Sequence, residues 1–215
     1  MNNDKYNIST LIDRYPALKG CEKDIQKAYK LLEDCFATKH KLLVAGNGGS
    51  CADAEHIVGE LMKGFKDKRP INSDLANKIK DIDSINGPLL SERLQQGLPT
   101  IALNNHQGLN TAIINDVIDG GELIYAQQIL GYGEENDVFL AISTSGNSTN
   151  LYNACVVAKA KGLKTIALTG KDGGKLAKIC DVSIIVPSNE TFMIQELHLP
   201  IYHTLCLMLE NHFFK

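Results

Sequence analysis

The chain has 215 residues, 44% hydrophobic and 22% charged, with 25 acidic against 22 basic side chains and a formal net charge of −3. That length fits one domain with a sizeable core. The balanced charge excludes a dedicated nucleic-acid binder, since the one basic run, "KDKR" at 66–69, reads as a solvated loop.

Helical periodicity covers about residues 7–37 and breaks at "YPALKG", where Pro16 and Gly20 read as stop and restart signals. In its second half Ile25, Ala28, Leu31, Leu32 and Phe36 predict an amphipathic helix. Residues 41–45, "KLLVA", are a short apolar run ending in a glycine-rich turn, which predicts a buried strand. A helix is expected over 53–65. Residues 66–98 then break the rhythm. They are polar, offer no strand candidate and suggest one or two short helices, an insertion of a length that usually serves function or mobility. Apolar runs at 100–104, 137–143, 164–170 and 181–188 predict four more strands, with helical patterns at 108–115, 120–131, 148–161 and 173–179. A long amphipathic helix is expected over 190–213. Strands alternating with helices predict an α/β fold. The expected architecture is one domain over 1–215, a doubly wound five-stranded parallel sheet with an N-terminal helical hairpin within 1–39.

Six cysteines (Cys21, Cys35, Cys51, Cys155, Cys180 and Cys206) form no CxxC pair and sit mostly in apolar segments, as free thiols do. Cys51 stands at a predicted helix start, where a thiol pKa can fall, but no motif supports a nucleophile there. The polar start, "MNNDKYNIST", does not read as a secretory signal, and no apolar run approaches a membrane span. The expected compartment is the reducing cytoplasm.

In a doubly wound sheet, ligands bind beyond the carboxyl ends of the strands. Two of the loops there stand out. "STSGNST" (143–149) sets Ser143, Thr144, Ser145, Ser148 and Thr149 around Gly146 and Asn147, just before a helix. Hydroxyls, free backbone N–H groups and a helix N-terminus suit a phosphate. Without a lysine the loop is not a nucleoside-triphosphate P-loop, and it points to a phosphate monoester. The plainer reading is an N-cap, but capping needs one such residue and five are present. "GNGGS" (46–50) is not a GxGxxG fingerprint, and its glycines read as letting a ligand approach the backbone. His56 and Glu60 lie one turn apart on a helix face, and Gln195 and His203 lie a little over two turns apart on another. His198 sits at an angle to that second face. Each pair alone would more often be structural.

Together "GNGGSCADAEHIVGEL", "ISTSGNSTN", "ALTGKDGGKLAKICD" and "IQELHLPIYH" resemble the SIS (sugar isomerase) domain family, over nearly all the chain except 66–97. "STSGNS" marks SIS domains in general, whereas His-x₃-Glu after "GNGGS" joined to Gln-x₇-His is more specific. The resemblance implies a flavodoxin-like sheet and a homotetramer with active sites at subunit interfaces. It implies conversion of a ketose phosphate to an aldose phosphate, with sedoheptulose 7-phosphate and D-glycero-D-manno-heptose 7-phosphate as the expected pair, feeding lipopolysaccharide or capsule heptose synthesis. Carried over by position, Glu60 is the base and His203 the acid. The implied substrate contacts are Asn47, Gly48, Gly49, Ser50, Asn115, Asp116, Ser143, Thr144, Ser145, Ser148 and Gln195. One Zn²⁺ per subunit would be held by His56, Glu60, Gln195 and His203. The expected partners are a phosphorylated sugar and copies of the chain, with no nucleic acid or membrane.

These residue types suit the chemistry. Aldose–ketose isomerisation passes through an enediol. It needs a carboxylate to move a proton between carbons, an acid for the neighbouring oxygen, and a means of stabilising enediolate charge. Two features depart from the family pattern. Gly64 stands where an arginine is common, four residues after Glu60, with Lys63 beside it, and the insertion falls where a substrate-covering loop would be. The alternative is a non-catalytic SIS protein, a phosphosugar-binding regulator or a scaffold of the kind that binds a replication initiator. The retained Glu60 and His203 weigh against that alternative.

Overall fold

The computed structural model describes residues 6–215, so the first five residues of the expected hairpin lie outside the described residues. Five strands, β1 (Leu42–Gly46), β2 (Thr100–Ala102), β3 (Val138–Ser143), β4 (Lys164–Thr169) and β5 (Val182–Ile185), form one all-parallel sheet in the order β2-β1-β3-β4-β5. The described helices are α1 (Ile8–Arg14), α2 (Glu22–Ala37), α3 (Gly49–Met62), α4 (Ser73–Ile82), α5 (Gly87–Arg93), α6 (Gln107–Asp116), α7 (Ile124–Tyr132), α8 (Thr149–Ala160), α9 (Leu176–Ile179) and α10 (Thr191–Phe214).

Every residue of β1 and β3 is buried, which is why their sequences read as unbroken apolar runs. Successive side chains serve opposite faces. Leu42 and Val44 join a core with α1, α2, α3 and α10, while Leu43 and Ala45 join one with α7 and α8. The expected doubly wound fold is present. Its strand order is the flavodoxin-like one, and its direction reverses between β1 and β3. The two loops singled out in the sequence leave the adjacent carboxyl ends of those strands.

Several local expectations shift. Helix α3 starts at Gly49 rather than 53, because Gly48 adopts φ +58° and turns the chain straight from strand to helix. The run at 100–104 gives only a three-residue strand before a 3₁₀ turn. The helix expected over 173–179 shrinks to α9, since Gly173 and Gly174 both take positive φ. The largest correction concerns "KDKR". Arg69 is not solvated but buried, and its Nε donates to Glu210 Oε1 at 2.9 Å. Its partner lies 141 residues away, beyond the reach of local charge patterning. The insertion holds α4 and α5, which pack on one another. It begins and ends at a bridge between Pro70 and Gln95.

Candidate active site

The loop after β1 and the loop after β3 meet in a cleft of about 270 Å³. It is lined by Asn47, Gly48, Gly49, Ser50, Ser143, Thr144, Ser145, Ser148 and Gln195, with Ile142 and Thr191. All the expected substrate contacts from those two loops, and Gln195 from α10, therefore converge. A Cβ on Gly49 would displace the Gln195 amide, so glycine there lets that side chain lie against the loop. Ser148 precedes α8 but makes no side-chain capping bond. Its Oγ instead pairs with Ser143 Oγ at 3.0 Å. Capping thus does not account for these hydroxyls. Gly146, at φ +65°, packs so closely on Gly173 that a Cβ would strike its carbonyl oxygen. Asn47 and Asn150 exchange two amide hydrogen bonds, of 2.9 and 3.1 Å, and Tyr125 donates to the Gly46 carbonyl at 2.7 Å. Asn150 and Tyr125, neither singled out from the sequence, thus brace the loop that carries Asn47.

Farther along the same pair of helices, α3 and α10 bring His56, Glu60 and His203 together. His56 Nε2 lies 3.1 Å from Glu60 Oε1 and 3.4 Å from His203 Nε2. Tyr202 donates its proton to Asp53 Oδ1 at 3.1 Å, so its oxygen accepts from His56 Nδ1 at 3.0 Å. That chain turns the His56 Nε2 toward Glu60 and His203. Burial raises the Asp53 pKa, against the Tyr202 hydrogen bond and His56, which lower it. Burial also lowers that of His203, which His56 depresses further while Glu60 opposes. His203 is reached from a second cleft between α1 and α10, of about 230 Å³, which also holds Arg14.

The donor types of His56, Glu60 and His203 suit zinc. Gln195, however, lines the loop cleft. Among the described residues no group of three or more His, Cys, Asp or Glu side chains is arranged to hold a metal ion. The four expected donors do not form a cage as they stand. Asn115 and Asp116, near the end of α6, do not line the cleft either. They are exposed, and Asn115 Nδ2 donates to Asp116 Oδ1 at 2.8 Å. Gly64 has no room for the arginine expected there, because a Cβ would meet the Asp67 carbonyl and the Gln95 side chain. Lys63 Nζ stands 3.7 Å from Glu60 Oε2 instead. His198 is fully buried, with Nε2 3.2 Å from the Thr169 carbonyl.

Two models described as SIS domain match residues 14–108 and 111–210. A phosphoheptose isomerase of Aliarcobacter butzleri is 37% identical over 90% of this chain and 88% of its own. One from Aneurinibacillus thermoaerophilus is 40% identical over 88% and 81% respectively. Among solved structures, the phosphoheptose isomerase from Francisella tularensis aligns with a TM-score of 0.75 at 30% identity, covering 94% of this chain and 93% of that one. That from Neisseria gonorrhoeae gives 0.69 at 30%, covering 94% and 96%. With both halves matched and relatives of this similarity along most of its length, the chain belongs to the SIS domain family.

Proposed function

We propose that this protein is a phosphosugar aldose–ketose isomerase that converts sedoheptulose 7-phosphate to D-glycero-D-manno-heptose 7-phosphate. The observation that carries the reading is the pairing of a hydroxyl-lined cleft with a Glu–His cluster on the same two helices. Gln195 and His203 are eight residues apart on α10, about 12 Å along its axis. A substrate whose phosphate lies at "STSGNST" must therefore place its reacting carbons well away from that phosphate. This favours a long sugar, as do the names of the relatives.

In this mechanism the cleft takes the phosphate through Ser143, Thr144, Ser145 and Ser148 and the amide groups at the start of α8. Glu60, half-buried between His56 and Lys63, moves the proton between the two carbons. His203 serves the neighbouring oxygen. Asp53 and Tyr202 hold the orientation of His56 and thereby keep the Glu60 side of the cluster in place. Zinc, one per subunit, stays part of the proposal as the family resemblance implies it: His56, Glu60, Gln195 and His203 would hold it, although they do not form a cage as they stand, and it would supply stabilisation of enediolate charge. Asn115 and Asp116 fit a homotetramer in which they complete a neighbouring subunit's site.

A panel of five- to seven-carbon ketose phosphates, assayed for isomerisation with and without chelator, tests substrate and metal together. Turnover of the seven-carbon substrate is expected, with Glu60→Gln lowering it on the order of 10²–10⁴-fold. Tight binding of a sugar phosphate with no turnover of any would favour the binding-protein alternative.

A further inference from the structure

Arg69 and Glu210 form a buried pair that joins the end of α3 to α10, and the mechanism above assigns them nothing. The arginine spends its donors on three different partners. Nε binds Glu210 Oε1 at 2.9 Å, one terminal nitrogen binds the Leu61 carbonyl at 2.8 Å, and the other binds the carbonyl of Glu60 itself at 3.1 Å. Those carbonyls belong to the last turn of α3, where a cation is favourable. The guanidinium also stacks over Phe214, 4.5 Å from its ring centre. Glu210 in turn accepts from the backbone N–H groups of Phe65, Lys66 and Asp67 at 2.8, 3.0 and 3.4 Å. It lies seven residues beyond His203, about two helical turns, and so on nearly the same side of α10. One ion pair thus joins the backbone of Glu60 to the helix that carries His203. It also fixes the root of the insertion, whose return strand bonds to the Arg69 carbonyl through Gln96.

We propose that Arg69 and Glu210 are positioning residues that set the distance between Glu60 and His203 by clamping the end of α3 to α10. The inference rests on the isomerase reading, in which those two groups act on one substrate. The fork geometry of arginine is essential to it. A lysine keeps the charge and three donors, but all three leave one nitrogen and cannot span acceptors that Arg69 reaches from three separate nitrogens. The phosphate cleft lies at the other end of both helices and neither Arg69 nor Glu210 lines it, so its grip is expected to survive their substitution.

The test uses the full-length protein and two conservative variants, Arg69→Lys and Glu210→Gln. A third, the double variant Arg69→Met/Glu210→Met, leaves no unpaired buried charge if the single changes fail to fold. Sedoheptulose 7-phosphate turnover is followed in D₂O, with deuterium incorporated per product formed as the second readout. That ratio does not depend on how much of the protein is active. The expected result is a kcat lowered at least tenfold, KM within about twofold of the wild type, and a changed deuterium ratio, as base and acid fall out of step. Folded variants with wild-type kcat overturn the proposal. So does a loss of kcat with an unaltered ratio, which would show only a smaller active fraction. If the wild-type protein turns over no sugar phosphate, the isomerase reading itself fails and the positioning role falls with it.

Discussion

Single residues explain why the site is built as it is, and two of them give sharp expectations. Gly64 looks like a lost substrate contact in the sequence, yet its surroundings exclude any side chain. Gly64→Arg is therefore expected to destabilise the protein by about 1–3 kcal/mol through overpacking, with no gain in activity; a thermal melt beside an isomerase assay checks both. His198 offers a second expectation. It is fully buried, its Nε2–H meets the Thr169 carbonyl and its Nδ1 has no partner, so burial lowers its pKa to about 4. Below pH 6.5 the unfolded chain takes up a proton that the folded one refuses until about pH 4. The stability is thus whole above pH 6.5 and is lost as pH falls through that window, by roughly 3 kcal/mol. Denaturant titrations at pH 7 and pH 4.5 should show this loss, and His198→Gln should flatten it. The residues of direct chemistry were legible because loops, hydroxyls and helix spacing mark them. Asp53, Tyr202 and Arg69 were not, because their roles come from partners 146 residues away or nearly so.

At the scale of elements, the alternation of apolar runs and helical patterns was enough to reveal five strands and their parallel arrangement, since buried strands carry few polar residues. Their ends were less legible. Gly48, Gly173 and Gly174 decide where helices begin, through positive φ values that composition alone does not disclose. The insertion was legible as an interruption with one or two short helices, and it holds two, α4 and α5, packed on one another, a pairing the sequence did not disclose. Between residues 71 and 94 only Gly87 is buried, so α4 and α5 add little to the core. Replacing 71–94 by a short flexible linker across the Pro70–Gln95 bridge is expected to change stability by no more than about 2 kcal/mol, as shortening a loop changes closure entropy slowly. Denaturant unfolding measures this; collapse of the fold would show that the hairpin supports the domain.

The whole molecule places a phosphate-suited cleft at the start of α3 and α10 and a Glu–His cluster farther along the same two helices, beyond the point where the strand order reverses. No described helix is long and apolar enough to cross a membrane. A homotetramer with shared sites would bring α6, and with it Asn115 and Asp116, to a neighbour, so a solution mass of four chains is expected from light scattering. The central claim is proton transfer by Glu60 on a seven-carbon sugar phosphate. It is tested most directly by proton NMR of sedoheptulose 7-phosphate in D₂O with the wild-type protein and with Glu60→Gln. The account predicts that the wild type forms the aldose phosphate and carries deuterium into the carbon that changes from carbonyl to alcohol, while Glu60→Gln does neither at a comparable rate. Conversion and exchange at wild-type rates in Glu60→Gln, or neither process in the wild type, would contradict it.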